Sequence, residues 1–240
     1  MAKRRGKKYL EALKKIEPGR FYSPEEALQL AKDTSFVNFD ATVEVHLRLG
    51  IDPRHADQNI RTTVTLPHGT GKTVRVLVFA QGEAARAAEA AGADFVGSEE
   101  LIARIDKEDF FDFDIAIATP DMMGKVGRLG RKLGPRGLMP NPKSGTIVPP
   151  DDLPQTIDEV RGGRVEFRND RTGLLHMAIG KTNFTPQQLF GNMVALMDVV
   201  QAVKPSGAKG TYVRSVTVTS TMGPGIPVNI QEAQAMTVEA

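Results

Sequence analysis

The chain of 240 residues contains no cysteine. That absence removes a disulfide framework, a thiolate nucleophile and any cysteine-based zinc site, and makes a cytoplasmic location the default expectation. It also lacks an apolar run of about 18 residues, and its charged N-terminus has no apolar segment of the kind a secretory signal needs, so neither membrane insertion nor export is expected. The histidines His46, His55, His68 and His176 are scattered without metal-ligand spacing, and no nucleophile and base stand together in a motif. No metal, no cofactor and no catalytic residue are therefore expected. The stacking aromatics of an RNA-recognition-type sheet are missing too, since Phe167 has inward parity and Tyr212 is isolated.

One further absence points to something present. Residues 128–146 hold no acidic side chain but carry Arg128, Arg131, Lys132, Arg136 and Lys143 around the run Gly134-Pro135-Arg136-Gly137-Leu138-Met139-Pro140-Asn141-Pro142. Such a density of Gly and Pro excludes a regular helix or a paired strand. A basic loop of this length reads as a site for something anionic, or else as a solvated connector. The formal net charge of +2 conceals a segregation along the chain. Lys3, Arg4, Arg5, Lys7, Lys8, Lys14 and Lys15 crowd the N-terminus, whereas residues 83–121 are acidic apart from Arg86, Arg104 and Lys107. A polyanionic partner should touch the basic parts and avoid the acidic one.

Periodicity supplies the elements. Leu10, Leu13 and Ile16 mark an amphipathic N-terminal helix, and Ser23-Pro24 with Glu26 marks the start of a second one with a capping box. Val43, Val45, Leu47 and Leu49 alternate with Thr42, Glu44, His46 and Arg48 in a half-buried strand, and Ile60, Val64 and Leu66 give another. Between about 69 and 158 strand and helix alternate, the signature of parallel βαβ units. Beyond this block come Val165 and Phe167, a turn at Asn169-Asp170-Arg171-Thr172-Gly173 suited to a hairpin, and a return strand with Leu175, Met177 and Ile179 inward. Thr185, Pro186 and Gln188 then open a helix striped by Leu189, Met193, Leu196, Met197 and Val200, methionines that belong to a core. The last strand turns Ser215, Thr217, Thr219 and Thr221 outward, before Met222-Gly223. An economical arrangement joins residues 1–68 and 159–230 in one α+β domain with an α/β domain, 69–158, inserted, and leaves 231–240 as a disordered tail. Three consecutive small units fit the same periodicity.

Gly69-Thr70-Gly71-Lys72-Thr73 resembles the end of a P-loop, but Leu66 stands where the first glycine belongs and a strand, not a helix, follows. A nucleotide-binding enzyme using the α/β block is thus the weaker of two functional classes. The stronger is nucleic-acid binding: strand hydroxyls and the Glu44 carboxylate can bond ribose hydroxyls and base edges while Lys and Arg neutralise phosphates. A threonine-rich strand face is also simply a good sheet surface.

Four separated motifs sharpen this: 39–45, Phe39-Asp40-Ala41-Thr42-Val43-Glu44-Val45; Gly134 to Lys143; Phe167-Arg168-Asn169-Asp170 with Thr172-Gly173; and Ser220-Thr221-Met222-Gly223-Pro224. In this order they resemble the bacterial ribosomal protein L-one family, which sits on the mobile side stalk of the large subunit. The resemblance runs from the basic N-terminus to about Ile230. It implies a discontinuous domain I formed by both chain ends, an inserted Rossmann-like domain II, and a hinge at the two crossings. It also implies a monomer in the cytoplasmic ribosome that binds large-subunit ribosomal RNA, assists release of deacylated tRNA from the exit site, and represses its own mRNA. By motif match the RNA contacts are Phe39, Thr42, Glu44, Ser215, Thr217, Thr221, Met222 and Gly223, with Arg168, Asp170, Arg171 and Thr172 as neighbours. Lys3, Arg4, Arg5, Lys7, Lys8, Arg128, Arg131, Lys132, Arg136 and Lys143 are auxiliary contacts. The family commonly has lysine where this chain has Asn38, which removes a phosphate contact, and at Arg171, which keeps the charge.

Overall fold

The computed structural model describes residues 5–236. In chain order the elements are α1 (Lys7–Leu13), α2 (Pro24–Asp33), β1 (Thr42–Leu49), β2 (Arg61–Thr65), β3 (Val76–Phe79), α3 (Glu83–Ala90), β4 (Phe95–Gly97), α4 (Glu99–Glu108) and β5 (Ile115–Ala118). Next come the one-turn helices α5 (Met123–Val126) and α6 (Gly130–Leu133), then α7 (Leu153–Gly162), β6 (Arg164–Arg168), β7 (Leu174–Lys181), α8 (Pro186–Ala202), β8 (Val213–Ser220), β9 (Ile226–Val228) and α9 (Ile230–Ala235). They form two compact units, one of residues 1–71 with 165–240 and one of residues 72–164. The fold is α+β with an inserted α/β unit.

The first unit exists because β1 pairs antiparallel on both sides with strands from the other end of the chain, giving the sheet order β7-β1-β8-β9. Its inner face carries Val43, Val45, Leu47, Leu175, Ile179, Val216 and Val218, all buried. Against them pack α2, α8 and α9, with Leu28, Leu189, Met193, Leu196 and Met197 in the same core. The caps expected for both long helices are present in different measure. Thr185 and Gln188 close a complete capping box on α8, while on α2 Ser23 accepts from the Glu26 N–H but the Glu26 carboxylate turns to Arg20. Asn192, fully buried on α8, locks the exit of the chain from this unit. Its Oδ1 accepts from the His68 N–H at 3.0 Å, and its Nδ2 donates to the Gly69 and Ile179 carbonyls at 2.9 and 2.7 Å.

In the second unit three parallel strands in the order β4-β3-β5 are covered on both faces. One face packs on Leu101, Ile105, Met122 and Leu133, and the other on Ala84, Ala88, Leu153, Ile157 and Val160. Helix α7 belongs to this unit entirely, so the second boundary moves from the expected 158 to 164: its apolar stripe has nowhere to bury except against α3 and the parallel sheet.

Three more expectations about the fold need correction. Residues 169–173 do form the turn, with the Asp170 N–H bonded to the Leu174 carbonyl at 2.7 Å, but the strands on either side part after one bridge, Asn169 with Leu175. β6 joins β2 in a separate two-stranded sheet and β7 joins β1. The tail expected to be disordered from 231 starts as α9, capped by Asn229 and anchored by buried Ala233; residues 237–240 lie outside the described residues. Third, Leu10 and Leu13 of α1 are 44% and 41% exposed, because only Ala12 and Ile16 reach the core.

All three tyrosines, Tyr9, Tyr22 and Tyr212, lie in the first unit and the chain has no tryptophan, so tyrosine fluorescence reports on that unit alone. Asn192→Ala strands the His68 N–H and two carbonyls; urea titration followed by tyrosine emission should show a loss of roughly 1–3 kcal/mol. An unchanged midpoint would show that the clamp is not needed for the unit's stability.

Candidate nucleic-acid interface

Among the described residues no helix is long and apolar enough to cross a membrane, and no three His, Asp or Glu side chains converge as metal ligands. Among the described residues the sheet with the most strands is the four-stranded one, and its outer face carries polar side chains. Register sets its rows: Lys181 opposite Thr42; Ala178, Glu44 and Thr219; His176, His46 and Thr217; Leu174, Arg48 and Ser215.

At one end of this face the termini of β1 and β8 are bound to each other. The Thr221 N–H donates to the Thr42 carbonyl at 2.9 Å, and the Thr221 hydroxyl oxygen accepts from the Thr42 N–H at 3.0 Å. Thr221 therefore closes the sheet with its side chain, a structural duty that the motif alone did not reveal. Lys181 Nζ donates to Thr42 Oγ1 at 3.1 Å and to the Asp40 carbonyl at 3.2 Å, which places a cation beside the strand ends. Beyond them Phe39 and Met222 stand 59% and 69% exposed.

Met222 also has φ 65°, in the left-handed region, within a turn closed by the Gly223 N–H on the Ser220 carbonyl at 2.7 Å. A large L-residue there is disfavoured by about 1–2 kcal/mol, and such strain, retained with the side chain in solvent, points to a function outside the fold. The neighbouring glycine has a different reason. A Cβ on Gly223 would lie 2.5 Å from Ser220 Oγ, so its smallness serves the turn itself. Thr219 Oγ1 braces the same turn through the carbonyls of Gly223 and Pro224 at 3.3 and 3.2 Å.

The other end of the face is the turn between β6 and β7. Partial burial works against ionisation of Asp170, but the Leu174 and Thr172 N–H groups and the Thr172 hydroxyl, each at 2.8 Å, hold its carboxyl below the usual range. This organises the turn and leaves Arg168 and Arg171 exposed beside an open groove of about 920 Å³ that Arg54, Asn59 and His176 also line. His176 touches His46 across the strands, so the two ends are continuous through the imidazoles. Sequence parity alone puts His46, Arg48 and His176 on outer faces; that Lys181 and Arg54 join them depends on register with strands or turns far away in the chain.

The auxiliary cations divide. Lys3 and Arg4 lie outside the described residues; Arg5 stacks on Tyr9 at 4.3 Å, and Lys7 and Lys8 are exposed. In the second unit Arg128, Arg131, Arg136 and Lys143 are exposed, Arg136 with its guanidinium 3.7 Å from the Phe111 ring centroid. Lys132 is paired within its own unit: its Nζ is 2.8 Å from Asp109, a hydrogen bond that raises its pKa and lowers that of Asp109. Nor do residues 128–146 form an open loop. Leu133 and Pro140 are buried, Asn141 is bonded to Thr146 and Ser144, and the Thr146 carbonyl and the Val148 N–H bond Ala118, covering the edge of β5.

The P-loop-like run has no helix behind it; β3 follows, and Gly71 with φ 71° packs beside Lys181 and Phe184. Asp112 and Asp114 both engage Arg75.

The sequence profile of the ribosomal protein L1p/L10e family matches residues 31–224. This chain belongs to that family. It is 76% identical over 229 residues to the large ribosomal subunit protein uL1 of Chloroflexus aurantiacus, covering 95% of this chain and 97% of the relative. The uL1 proteins of Thermobifida fusca and Thermomicrobium roseum are 58% and 57% identical over 226 and 235 residues, with 95% of each relative covered. The match spans the strand ends at Thr42 and Thr221, the turn at Asp170 and all of the inserted unit.

The Met222 geometry makes an unusual stability prediction. Met222→Gly relieves about 1–2 kcal/mol of left-handed strain and loses about 0.5–1 kcal/mol to glycine's greater unfolded freedom. A small net gain should appear in the tyrosine-reported urea transition, and a loss would remove the case for strain.

Proposed function

We propose that this protein is a constituent of the large ribosomal subunit in the cytoplasm and binds ribosomal RNA at the side stalk through the outer sheet face of its first unit. The observation that carries the reading is Met222: a strained, solvent-exposed apolar side chain next in the chain to Thr221, which is bonded to Thr42, in a family of ribosomal proteins. Folded RNA offers sugar faces and unstacked bases to such apolar groups, ribose hydroxyls and base edges to Thr42, Glu44, Ser215, Thr217 and Thr219, and phosphates to Lys181, Arg48, Arg54, Arg168 and Arg171. Thr221, Asp170, Thr172 and Gly223 hold these groups in place. Finer roles belong to the same proposal: Arg128, Arg131, Arg136 and Lys143 of the inserted unit touch stalk RNA or exit-site tRNA, hinging at the crossings assists tRNA release, and the sheet face also binds the protein's own mRNA to repress it.

Phe39→Ala and Met222→Asp alter exposed side chains, so they should leave the fold intact and weaken binding of side-stalk RNA by about 1–3 kcal/mol each in filter-binding titrations. Parent-like affinity in both would sink the site. Neutralising Arg128, Arg131, Arg136 and Lys143 together should flatten the salt dependence of affinity while sparing recognition of the stalk sequence over unrelated RNA; loss of that discrimination would move the specific site to the inserted unit. Cosedimentation with large subunits separates a resident ribosomal protein from an RNA-binding repressor acting off the ribosome.

A further inference from the structure

Between the two ends of the sheet face stand two imidazoles. His46 on β1 and His176 on β7 are cross-strand partners with ring centroids 4.9 Å apart, edge to face, and Nδ1 atoms 2.8 Å apart. Two neutral rings satisfy that contact only as complementary tautomers, one Nδ1 donating and the other accepting. One added proton is compatible with the contact; two set N–H against N–H and force the rings apart.

The surroundings define what the pair can receive. His46 Nε2 lies 3.8 Å from Glu44 on its own strand, and His176 Nε2 lies 3.9 Å from Asp170 on the turn. Arg48 follows on β1, and Arg54, Arg168, Arg171 and Glu166 line the groove that His176 shares. β8 faces the pair with Thr217, flanked by Ser215 and Thr219, and its one charged residue, Arg214, lies beyond Ser215. Partial burial and the neighbouring imidazole keep His46 below the usual histidine range against the opposing pull of Glu44. The face thus carries two imidazoles in contact, each with a carboxylate near its Nε2, between Lys181 at one end of the sheet and the groove arginines at the other.

We infer that the His46–His176 pair is a phosphodiester-binding subsite that takes up a proton from solvent as RNA docks. The inference rests on RNA occupying the sheet face, as proposed above. An anionic phosphodiester oxygen set against the pair favours a charged imidazole and offsets the burial and imidazole effects that disfavour charge on His46 in the free protein. The proton comes from water or buffer and adds to a free ring nitrogen; the ring then donates to the phosphate oxygen. The bound state holds more protons than the free components, so affinity rises as pH falls. The change is confined to the window around the ordinary histidine pKa, about 6.5, and reaches at most about tenfold for each unit by which RNA raises it.

The test titrates the full chain with a transcript of the side-stalk segment of Chloroflexus aurantiacus large-subunit RNA at constant ionic strength, at about pH 6, 7 and 8. Calorimetry at about pH 7 in two non-phosphate buffers of different ionisation enthalpy counts the proton directly on the parent protein. The expected result is affinity several-fold higher at the lowest pH, an enthalpy that differs between buffers in the sense of uptake, and loss of both effects in His46→Asn/His176→Asn that circular dichroism shows to be folded. A parent flat in pH with no buffer dependence, or a folded variant with the parent's slope, overturns the subsite. Tight binding that Met222→Asp weakens but pH does not change overturns the subsite alone, whereas no binding at any pH overturns the RNA reading with it.

Discussion

The paired edges of β1 are the constraint on which the rest depends. An antiparallel strand in the middle of a sheet must have both rows of backbone groups satisfied, and here both partners come from the far end of the chain. That closure brings residues near 42 beside residues near 181 and 221, builds the core under α2 and α8, and makes the middle of the chain an insertion rather than a sequel. It also creates the outer face. Thr42, Lys181 and Thr221 are neighbours only because the register says so, and the hydroxyl of Thr221 bonds both backbone groups of Thr42.

Charge shows how far a linear reading differs from a folded one. Along the chain the acidic stretch and the basic run after it look like opposite surfaces; in the inserted unit they meet. Lys125 bonds Glu99 at 2.7 Å, Lys132 bonds Asp109, and Arg75 bonds Asp112 and Asp114. These pairs are solvent-exposed and contribute little to stability, but they subtract cations from any surface offered to an anion. Of the basic run, Arg128, Arg131, Arg136 and Lys143 stay exposed while Lys132 is paired, one cation fewer than the sequence promised. The run from Gly134 to Lys143, prominent in the sequence, also has an architectural role. It leads the chain onto the edge of β5 and stops that edge from pairing elsewhere.

In the first unit, by contrast, side chains of bland appearance acquire meaning from geometry. Met222 is an ordinary apolar residue until its left-handed backbone and exposure are seen together, and Gly223, which invites a ligand-approach argument, is small because Ser220 fills the space. His46 and His176, scattered in the sequence, form one hydrogen-bonded pair.

The residue order by itself determined the local elements, the inward parity of Val43, Val45 and Leu47, the methionine core of α8 and the parallel texture of the inserted block. These follow from periodicities of two and 3.6 residues, which report burial without needing a partner. The motifs also sufficed to place the chain in its family. Tertiary structure alone decided that β6 and β7 part into different sheets despite a good turn, that α7 belongs wholly to the inserted unit, that α9 continues past residue 230, and that Lys132 is occupied. Each of these depends on which distant surface satisfies a strand edge, an apolar stripe or a charge. That choice is a comparison between whole arrangements, to which no short stretch of sequence has access.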